Sequence, residues 1–562
     1  MKELLRRLSL CPRVSWEILA ASLLANLMSL ASSVYVILVL NRYVGYGFDG
    51  TLYTLTIGVL IASALGFAFG EVRTRLAGVV SQGPDEELEE RSLAVVTRAR
   101  LSDLNRFPPT RHQELLGAMG QVRSAFDAAN VSAVLDAPFM LLFLIAIALI
   151  SPWLMLVTVF AVCLSALFSV LGLRRAEADG LKLQRETHVH RAQLSSALSG
   201  AETVRAFSGG EFLRNVWRSK RESLGALRAL LARDQRKSRL RQESVAVFLR
   251  VFVYAFGAML AVAGEMTVGG LIGASILSGK VLAMGAAFMQ AYMAARGGEQ
   301  ALERLSELHS LPLEPLSGTS LREFSGRLEF RDIGFAYTGT SSPLFESLSF
   351  VLQPGSVLCV TGFNGTGKST FCKVAAGLLE PGRGQVLADG VDLRQLAPDW
   401  WRRQLMYLPQ EPSFLDATLR ENIALADPEP KGQASQERMN QAVRAAALRR
   451  FLDTSRLGLD MPIQDGGKAL PLGIRRRIAL ARALMTPGRL AIFDDPTEGL
   501  DSEGRLAVYA ILNGLAKAGS TLVVATADVN ILKGAALVLD MNVKPTPSLG
   551  ASAPRGPKPE DA

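Results

Sequence analysis

Residues 356–370 read Ser356-Val-Leu-Cys-Val-Thr361 followed by Gly362-Phe-Asn-Gly-Thr-Gly-Lys-Ser-Thr370. The first six residues are mostly apolar and predict a buried strand, and residues 371–379 continue as a helix. The nine residues between them match G-x-x-x-x-G-K-[ST], the pattern of a loop whose backbone N–H groups converge on phosphate oxygens. This strand–loop–helix unit predicts an α/β domain that binds a nucleotide.

The residue types within the loop indicate how the phosphates are held. Gly362, Gly365 and Gly367 let the backbone curl, and the following helix adds the partial positive charge of its N-terminus. Lys368 is expected to reach the β and γ phosphates, and Ser369 is expected to coordinate Mg²⁺. ATP and Mg²⁺ are therefore the predicted cofactors.

Two adjacent carboxylates follow a second apolar strand, Leu490-Ala-Ile-Phe493. A carboxylate at the tip of a strand beside a phosphate loop commonly holds the metal ion of the nucleotide. Asp494 is the predicted second Mg²⁺ ligand, and Asp495 comes directly after it.

The composition of the chain indicates a membrane protein. Of 562 residues, 49% are hydrophobic and 20% charged, and the mean hydropathy is +0.23, which excludes disordered and collagen-like chains. The net charge of +9 comes from basic residues concentrated in 71–130 and 174–243, between long apolar stretches. That alternation is typical of the positive-inside rule, so we expect a membrane lipid environment and no nucleic acid partner.

Six stretches are long and apolar enough to cross a bilayer, which takes roughly 20 helical residues. They are residues 18–40, 51–70, 132–150, 153–173, 244–264 and 267–290. The connections after the first, third and fifth are short and are expected to face outward. The connections after the second and fourth are long and charged, which predicts helices that continue into the cytosol and return. The alternative, buried helices of a soluble protein, does not explain this asymmetry.

Two charges lie inside the predicted spans, Arg250 in the fifth and Lys280 in the sixth. A charge at bilayer depth is costly unless it faces water or a partner. Each either lines a substrate pathway or extends toward the membrane surface. The four cysteines show no C-x-x-C spacing and are expected to be small buried apolar residues, without a disulfide or a metal site.

Composition shifts divide the chain into five parts. We expect a cytosolic segment over 1–17, the six-helix transmembrane domain over 18–310, a linker over 311–325, the nucleotide-binding domain over 326–543, and a disordered tail over 544–562.

Six spans followed by this nucleotide domain resemble a half-transporter of the ATP-binding cassette (ABC) exporter class. The resemblance implies an all-α six-helix transmembrane exporter domain followed by an α/β P-loop NTPase (ABC) domain. It places Tyr337 against adenine, gives Gln410 a contact to Mg²⁺ and a coupling role, and gives Asp501 a role in communication across a dimer. Asn364, Thr366 and Thr370 are the remaining loop residues included in the nucleotide site.

The membrane half is similar to the exporters of type I secretion. The segments that carry this similarity are 26–30 with 35–42, Leu135-Asp-Ala-Pro-Phe139, and 267–280. The resemblance implies export of a polypeptide across the inner membrane, with a cytoplasmic nucleotide domain, a membrane-fusion adaptor and an outer-membrane channel. Only about 17 residues precede the first span, so the peptidase-like domain of some members is not expected.

The sequence departs from the family pattern at three catalytic elements. The signature loop LSGGQ is replaced by Leu470-Pro-Leu-Gly-Ile474, which removes a hydroxyl and an N–H at Pro471. Asp495 stands where the family has the glutamate that orients water, and is one methylene shorter. Ala527 stands where the family has a switch histidine, and the last of the four histidines is His309.

These losses, with the binding residues intact, predict an ABC-type ATPase that binds Mg-ATP and hydrolyses it slowly, with Asp495 as a weakened base beside Lys368. The leading hypothesis is a polypeptide exporter subunit. The alternatives are a catalytically impaired or regulatory half of a heterodimer, and an exporter of lipid or a small molecule. The second half-transporter completes either a homodimer or a heterodimer.

Overall fold

The computed structural model describes residues 1–45, 47, 49–104, 106, 109–337, 339–340, 342–425, 427 and 433–551. The chain divides into two compact units. The helical unit comprises Met1–Thr97 and Phe107–Leu311, and the α/β unit comprises Arg98–Arg106 and Pro312–Ala562.

The first half of the chain forms helices and no named β-strand in its described residues. Its helices are α1 (Lys2–Leu10), α2 (Pro12–Leu38), α3 (Asp49–Arg98), α4 (Leu101–Leu104, in the α/β unit), α5 (Pro109–Ala125), α6 (Ala128–Asp136), α7 (Met140–Ile150), α8 (Pro152–Ser199), α9 (Ala201–Ala206), α10 (Gly210–Val262) and α11 (Val268–His309). Val39–Val44 continue α2 as a π-helical turn, and Ala137–Phe139 join α6 to α7 as a 3₁₀ turn.

Six described segments are long and apolar enough to cross a membrane, which confirms the predicted number. They are Pro12–Val44, Asp49–Arg98, Gly117–Ile150, Pro152–Gly172, Gly210–Val262 and Val268–His309. The helices α3, α8 and α10 are 50, 48 and 53 residues long, so the apolar spans continue without interruption into charged helix, as their composition predicted. Each greatly exceeds the roughly 20 residues that a bilayer needs.

The N-terminal segment is part of the helical unit. Arg7 of α1 is 2% exposed and ion-pairs Asp85 at 2.9 Å, and its guanidinium lies 4.5 Å from the centre of the Phe126 ring. The first span begins at Pro12 because a proline is well suited to the first turn of a helix. The boundary at residue 18 therefore does not correspond to a break in the fold.

The α/β unit contains twelve strands in its described residues. They are β1 (Leu328–Phe335), β2 (Phe345–Leu352), β3 (Val357–Thr361), β4 (Arg383–Ala388), β5 (Val391–Asp392), β6 (Leu405–Leu408), β7 (Ala417–Thr418), β8 (Pro462–Ile463), β9 (Leu490–Asp494), β10 (Thr521–Ala525), β11 (Leu537–Asp540) and β12 (Ser548–Ala551). Its further helices are α12 (Lys368–Ala375), α13 (Pro398–Arg402), α14 (Leu419–Ala424), α15 (Gln433–Ala445), α16 (Arg449–Thr454), α17 (Leu472–Leu484), α18 (Ser502–Lys517) and α19 (Val529–Leu532).

A six-stranded sheet in the order β12-β11-β3-β10-β9-β6 forms the centre of this unit. Four pairings place β11, β3, β10, β9 and β6 parallel, and β12 runs antiparallel at the edge. An antiparallel sheet, β2-β1-β4-β5, lies beside it in the same unit. Every residue of β9 and β10 is buried, as in parallel sheets that are covered on both faces. The carboxyl ends of β3, β9 and β10 consequently meet at one edge.

Two predicted boundaries differ from the structure. Phe324 of the predicted linker is 2% exposed in the core of the α/β unit. Ser548–Ala551 form β12 against β11, where a disordered tail was expected from residue 544, because the edge of β11 offers backbone hydrogen bonds to a chain of any composition. Residues 552–562 of that predicted tail lie outside the described residues.

The cysteines follow the prediction only in part. Cys359 and Cys372 are buried, and burial raises the pKa of the Cys359 thiol to about 12. Cys11 is half-buried, and Cys163 is exposed on α8, so the prediction of a buried residue is wrong for Cys163. An apolar run that faces a bilayer presents part of its side chains outward, and this exposure cannot be distinguished from burial by hydropathy alone.

Candidate nucleotide site

The phosphate loop connects β3 to α12, as the sequence predicted from its strand–loop–helix pattern. Gly365 and Gly367 have φ angles of 82° and 107°, in the region that side chains disfavour. At Gly367 an added Cβ would also lie 2.7 Å from Leu344 Cδ2. Glycine is thus required there both by the backbone conformation and by the space available.

A pocket of about 300 Å³ opens at this loop. Its lining residues are Tyr337, Leu344, Phe363, Asn364, Gly365, Gly367, Lys368, Ser369, Thr370, Gln410 and Asp495. Most of the predicted nucleotide residues therefore surround one cavity. Gly362, Thr366 and Asp494 are predicted residues outside the lining; the first two belong to the same loop, and Asp494 is the last residue of β9.

Lys368 is the first residue of α12 and is 8% exposed. Its ammonium group donates to the main-chain oxygen of Gly362 at 2.7 Å. The Thr366 hydroxyl stabilises the loop from within, because it donates to the main-chain oxygen of Phe363 at 2.8 Å. The positive charge is held over the loop, where phosphate oxygens would be bound.

Tyr337 lies on the approach to the pocket and is 46% exposed. Its hydroxyl is hydrogen-bonded to Thr370 Oγ1 at 2.8 Å, and its ring meets the edge of Phe335 at 5.0 Å between centroids. These two contacts fix the ring while leaving much of it accessible. An accessible, fixed aromatic ring is suited to stacking on a planar base.

Three oxygen ligands predicted for Mg²⁺ lie together. Ser369 Oγ donates to Gln410 Oε1 at 3.2 Å, and burial raises the pKa of the Asp494 carboxyl while the nearby Ser369 opposes that rise. Asp494 is 2% exposed, and its Oδ1 is buried without a hydrogen-bond partner among the described residues. A buried oxygen without a donor, beside a hydroxyl and an amide oxygen, suits a hard cation such as Mg²⁺. The residues present therefore fit the metal that the sequence predicted.

Asp495 occupies a strained position directly after β9. Its φ is 46°, in the left-handed region that is uncommon for residues other than glycine, and its N–H donates to the main-chain oxygen of Ala525 at 2.8 Å. Its Oδ2 accepts from Gln410 Nε2 at 3.4 Å. Burial raises the pKa of the Asp495 carboxyl, and the nearby Lys368 opposes that rise.

Glu498 is a site residue that the sequence reasoning missed. Its Oε2 accepts from Gln410 Nε2 at 3.4 Å and from Arg476 Nη2 at 2.8 Å. The hydrogen bond from Arg476 lowers the pKa of the Glu498 carboxyl. Gln410 is thus shared by two carboxylates whose pKa values are shifted in opposite directions. A signal existed in the sequence, since an acid three residues after Asp495 meets a run of three arginines at Arg475–Arg477.

The replaced signature segment folds as the start of a helix. Pro471 precedes α17 as its N-cap, with φ −54° and ψ 144°, so the fold accommodates a proline there. Leu472, the first residue of α17, is 41% exposed and lies over Gly499.

Asp501 makes contacts within its own subunit. It caps α18 by accepting from the Gly504 N–H at 2.8 Å, and it also ion-pairs Arg477 of α17. These contacts lie within one subunit and do not test the role across a dimer that the resemblance implies for Asp501.

The segment after β10 contains no histidine, and all four histidines of the chain precede residue 312. Ala527 is followed by Asp528, whose carboxylate accepts from the Tyr509 hydroxyl at 2.6 Å and from the Asn530 N–H at 2.9 Å. The Asp528 carboxylate is thus already used to cap the N-terminus of α19. Nothing at this position replaces an imidazole.

The C-terminal segment contacts the phosphate loop, which the sequence reasoning also missed. The Phe363 N–H donates to Asn542 Oδ1 at 2.8 Å, and Lys544 Nζ donates to the main-chain oxygen of Thr366 at 2.7 Å. Lys544 also donates to the main-chain oxygen of Leu344. Asn542, at the end of the predicted domain, and Lys544, just beyond it, therefore hold both sides of the loop.

Two family profiles match this chain. The ABC transporter transmembrane region matches residues 16–284, and the ABC transporter domain matches residues 345–498. The second match contains the phosphate loop and both carboxylates after β9.

The relatives that it resembles include two toxin translocation proteins. The chain is 25% identical over 521 residues to the alpha-hemolysin translocation ATP-binding protein HlyB of Escherichia coli. It is 26% identical to the leukotoxin export ATP-binding protein LtxB of Aggregatibacter actinomycetemcomitans. Each alignment covers 91% of this chain and 72% of the relative.

The fold is similar to that of a solved structure of a bacterial Atm1-family ABC exporter with ATP bound. The TM-score is 0.79 at 19% sequence identity, and the match covers 95% of this chain and 94% of the other. At that identity the likeness shows the fold.

Proposed function

Because this chain belongs to the ABC transporters and carries both the transmembrane region and the ATP-binding domain of an exporter, we propose that it exports a polypeptide across the inner membrane. The observation that carries this proposal is the similarity over 91% of the chain to proteins that translocate hemolysin and leukotoxin. The six candidate spans support a location in a membrane. The charged helical extensions of α3, α8 and α10 favour a cytoplasmic position for the nucleotide domain.

The residues of the pocket supply nucleotide binding. The loop N–H groups and the N-terminus of α12 bind phosphate oxygens, and Lys368 adds a positive charge that stays close to the loop. Tyr337 offers a fixed ring to the base. Ser369, Gln410 and Asp494 would hold Mg²⁺, which when bound neutralises the charge of the phosphates.

The geometry also supports slow hydrolysis. Asp495 is the carboxylate placed to orient water, but its side chain is one methylene shorter than that of glutamate. A displacement of about 1 Å in a catalytic group can lower a rate about a hundredfold. Ala527 provides no group that could contact the γ phosphate, and Pro471 provides no N–H for a nucleotide bound on a partner. We therefore propose that turnover is limited by chemistry rather than by binding.

A heterodimer with a catalytically competent half-transporter is the second candidate. Half-transporters of this class act as dimers, and each nucleotide is held between the phosphate loop of one subunit and the signature loop of the other. In a homodimer, both sites would combine Asp495 and Ala527 with the Pro471 segment. In a heterodimer, each site would be defective on one side only, and the weakened signature at Pro471 and Leu472 favours that arrangement. A membrane-fusion adaptor and an outer-membrane channel complete the proposed pathway for a secreted polypeptide.

Nucleotide binding is tested with the purified full-length protein in lipid nanodiscs and a fluorescent ATP analogue. Lys368→Ala should weaken binding at least tenfold, because hydrogen bonds to charged groups contribute about 1.5–3 kcal/mol each. Lys517→Ala, at the exposed end of α18, is the matched control and should bind as the wild type does. Unchanged affinity in Lys368→Ala would remove the basis for an ATP-driven function.

Turnover is tested by repair of the two catalytic positions. Asp495→Glu combined with Ala527→His should raise the ATPase rate by at least tenfold if the chemistry limits turnover. A rate that stays at background would place the defect in the signature segment or in the pairing of subunits. Co-purification from native membranes then distinguishes the candidates, since a second half-transporter of different sequence is expected only for the heterodimer.

A further inference from the structure

An open cavity of the helical unit is lined by residues of α10 and α11, among them the exposed Arg250. It has a volume of about 320 Å³ and is lined by Ala246, Leu249, Arg250, Val253, Ser275, Ile276, Ser278, Gly279 and Leu282. Residues 246, 249, 250 and 253 follow the spacing of one face of α10, and 275, 278, 279 and 282 follow that of one face of α11. The guanidinium therefore projects from the face of α10 that is turned to α11. The phenylalanines at 248, 252 and 256 line a different, apolar groove on the side of α8.

Arg250 lies deep in the membrane-spanning part of α10. It comes twelve residues before the end of α10 at Val262, and Lys280 comes twelve residues after the start of α11 at Val268. At 1.5 Å per residue, both charges lie about 18 Å from the connection between the two helices. In a hydrocarbon layer about 30 Å thick, the boundary on the other side of the membrane from that connection is then roughly 12 Å away. Lipid phosphates at either surface are poorly placed to accompany these charges.

The two charges differ in what surrounds them. The Lys280 ammonium lies 5.1 Å from the centre of the Phe143 ring, and the Asp136 carboxylate is close enough to act on it electrostatically. Asp136 is itself held by Arg73 at 2.6 Å and by Asn26 at 3.2 Å. The described lining of the Arg250 cavity contains no carboxylate. Lys280 therefore has its counter-charge within the protein, whereas the Arg250 cavity does not supply one.

The rest of the cavity is shaped for a small polar group. Ser278 is 1% exposed and its hydroxyl is hydrogen-bonded to Thr158 Oγ1 at 2.8 Å, which fixes its orientation. A Cβ added at Gly279 would meet nothing within 4 Å, so the absence of a side chain there contributes to the open space. The Ser278 proton is used in that bond, since Thr158 Oγ1 donates to the main-chain oxygen of Leu154. The Arg250 guanidinium, the Ser275 hydroxyl and the free volume together suit a carboxylate, which a guanidinium can bind through two parallel hydrogen bonds.

We propose that this cavity is a binding site for acidic side chains of the exported polypeptide, with Arg250 as the group that recognises their carboxylates. The inference rests on the proposed function, since it assigns a chemical preference to the cargo of that exporter. An acidic side chain that enters the cavity neutralises a charge for which the cavity lining supplies no carboxylate, whereas a basic one is repelled by it. The site thereby selects for negatively charged segments as they pass α10 and α11.

The test uses the full-length protein in nanodiscs of zwitterionic phosphatidylcholine and two labelled 20-residue peptides, one of alternating Glu and Ser and one of alternating Lys and Ser. Fluorescence anisotropy without nucleotide should show at least tenfold tighter binding of the Glu peptide. Arg250→Gln should reduce that affinity about tenfold, and Arg250→Lys should retain part of it. Gly279→Leu, which fills the cavity without changing charge, should reduce it as well. Basal ATPase activity should remain as in the wild type for all three variants.

Two matched controls remove a positive charge elsewhere. Lys280→Gln removes a charge at the same depth, and Arg239→Gln removes one from an exposed part of α10 where the side chain pairs with Glu243. Both should bind the Glu peptide as the wild type does. If Lys280→Gln weakened binding as much as Arg250→Gln, the overall positive charge of the membrane helices rather than this cavity would account for peptide binding, and the proposal would fail.

Other outcomes separate this inference from the proposed function. Undiminished binding of the Glu peptide to Arg250→Gln overturns the site and leaves polypeptide export standing. Failure of the wild type to bind either peptide overturns both. Loss of Glu-peptide binding when phosphatidylglycerol replaces part of the phosphatidylcholine would identify a lipid headgroup as the occupant and overturn the assignment to cargo.

Discussion

Arg476 Nη1 donates a hydrogen bond to the main-chain oxygen of Asp495 at 3.0 Å. The same guanidinium ion-pairs Glu498 at 2.8 Å, and the Arg476 side chain is only 7% exposed. Arg476 belongs to the first turns of α17, directly after the altered signature segment, and Asp495 follows β9 in a strained conformation. The backbone that carries the candidate base is therefore fastened to the helix that begins at the signature segment of the same subunit.

Replacing this arginine should separate turnover from binding. In Arg476→Gln, the loop that carries Asp495 loses its charged anchor, and we expect the single-turnover rate of ATP hydrolysis to fall at least tenfold, since small displacements of a base are costly. Nucleotide affinity should change less than twofold, because Lys368 and the phosphate loop do not contact Arg476. Arg449→Gln, at the exposed start of α16, is the control. An unchanged rate in Arg476→Gln would show that the anchor does not position Asp495.

A double-mutant cycle with Glu498→Gln tests whether the two residues act together. Because Arg476 and Glu498 are in direct contact, their effects should not add, and Glu498→Gln should cost little once Arg476 is replaced. Additive losses in rate would mean that Glu498 acts on Gln410 independently of Arg476.

The phosphate loop could be predicted from the sequence because its chemistry is local. Nine consecutive residues bring glycines, Lys368 and Ser369 to one place, and the flanking strand and helix are equally contiguous. The contact of Arg476 with Glu498 spans 22 positions and depends on how α17 packs beside β9. The adjacent charges in the sequence do not specify which acid and which arginine meet, so Glu498 was not among the predicted site residues.

The end of the domain could not be predicted for a related reason. Residues 544–551 contain Pro, Ser and Gly, whose composition is typical of a disordered tail. Their order comes from pairing with β11 and from contacts of Asn542 and Lys544 with the phosphate loop. The two contacts with the phosphate loop join residues about 180 positions apart in sequence, beyond the reach of any local pattern.

Removing the Lys544 side chain should loosen the nucleotide site. Lys544→Ala deletes the donor to the main-chain oxygens of Thr366 and Leu344, which hold the two sides of the loop entrance. We expect a three- to tenfold weaker affinity for the ATP analogue, corresponding to about 1 kcal/mol for one or two hydrogen bonds. Lys533→Ala, at the end of α19, is the matched control. Equal affinities for the two variants would show that the loop is ordered without the C-terminal segment.

Asp501 should act on stability through its cap. Asp501→Ala removes both the acceptor for the Gly504 N–H and the partner of Arg477, and should destabilise the α/β unit by about 1 kcal/mol. Asp501→Asn keeps a capping oxygen and should lose a fraction of that amount, because the Asp501 side chain is 66% exposed and its charge is screened. Thermal unfolding of the full-length protein measures both, with Ser502→Ala as the control. Equal losses for the two variants would assign the effect to the charge instead of the cap.

The pH dependence of the Asp501 effect follows from its hydrogen bonds. The Gly504 N–H and the Arg477 guanidinium lower the pKa of the Asp501 carboxyl. Its contribution to stability is therefore present above the ordinary pKa of an aspartate and is lost as the pH falls through the lowered value. The difference in melting temperature between wild type and Asp501→Ala should shrink only in strongly acidic solution. A difference that shrank between pH 8 and 6 would point to another group.

Asp494 should show the opposite dependence, because burial raises the pKa of its carboxyl and Asp495 adds to that rise. For an acid whose pKa is higher in the folded state, the favourable contribution is complete below the unfolded pKa and is lost as the pH rises through the folded pKa. Without nucleotide and Mg²⁺, Asp494→Asn should therefore melt at a higher temperature than the wild type at pH 7.5, and the difference should decrease toward pH 5.

Addition of Mg²⁺ with ATP should stabilise the wild type more than Asp494→Asn, since the unpaired Oδ1 then has a cation to bind. Asp453→Asn, on the exposed side of α16, controls for the loss of a surface charge. A lower melting temperature for Asp494→Asn at pH 7.5 in the absence of ligand would mean that the protein itself already compensates the carboxylate, and the case for a metal at the end of β9 would fall with it.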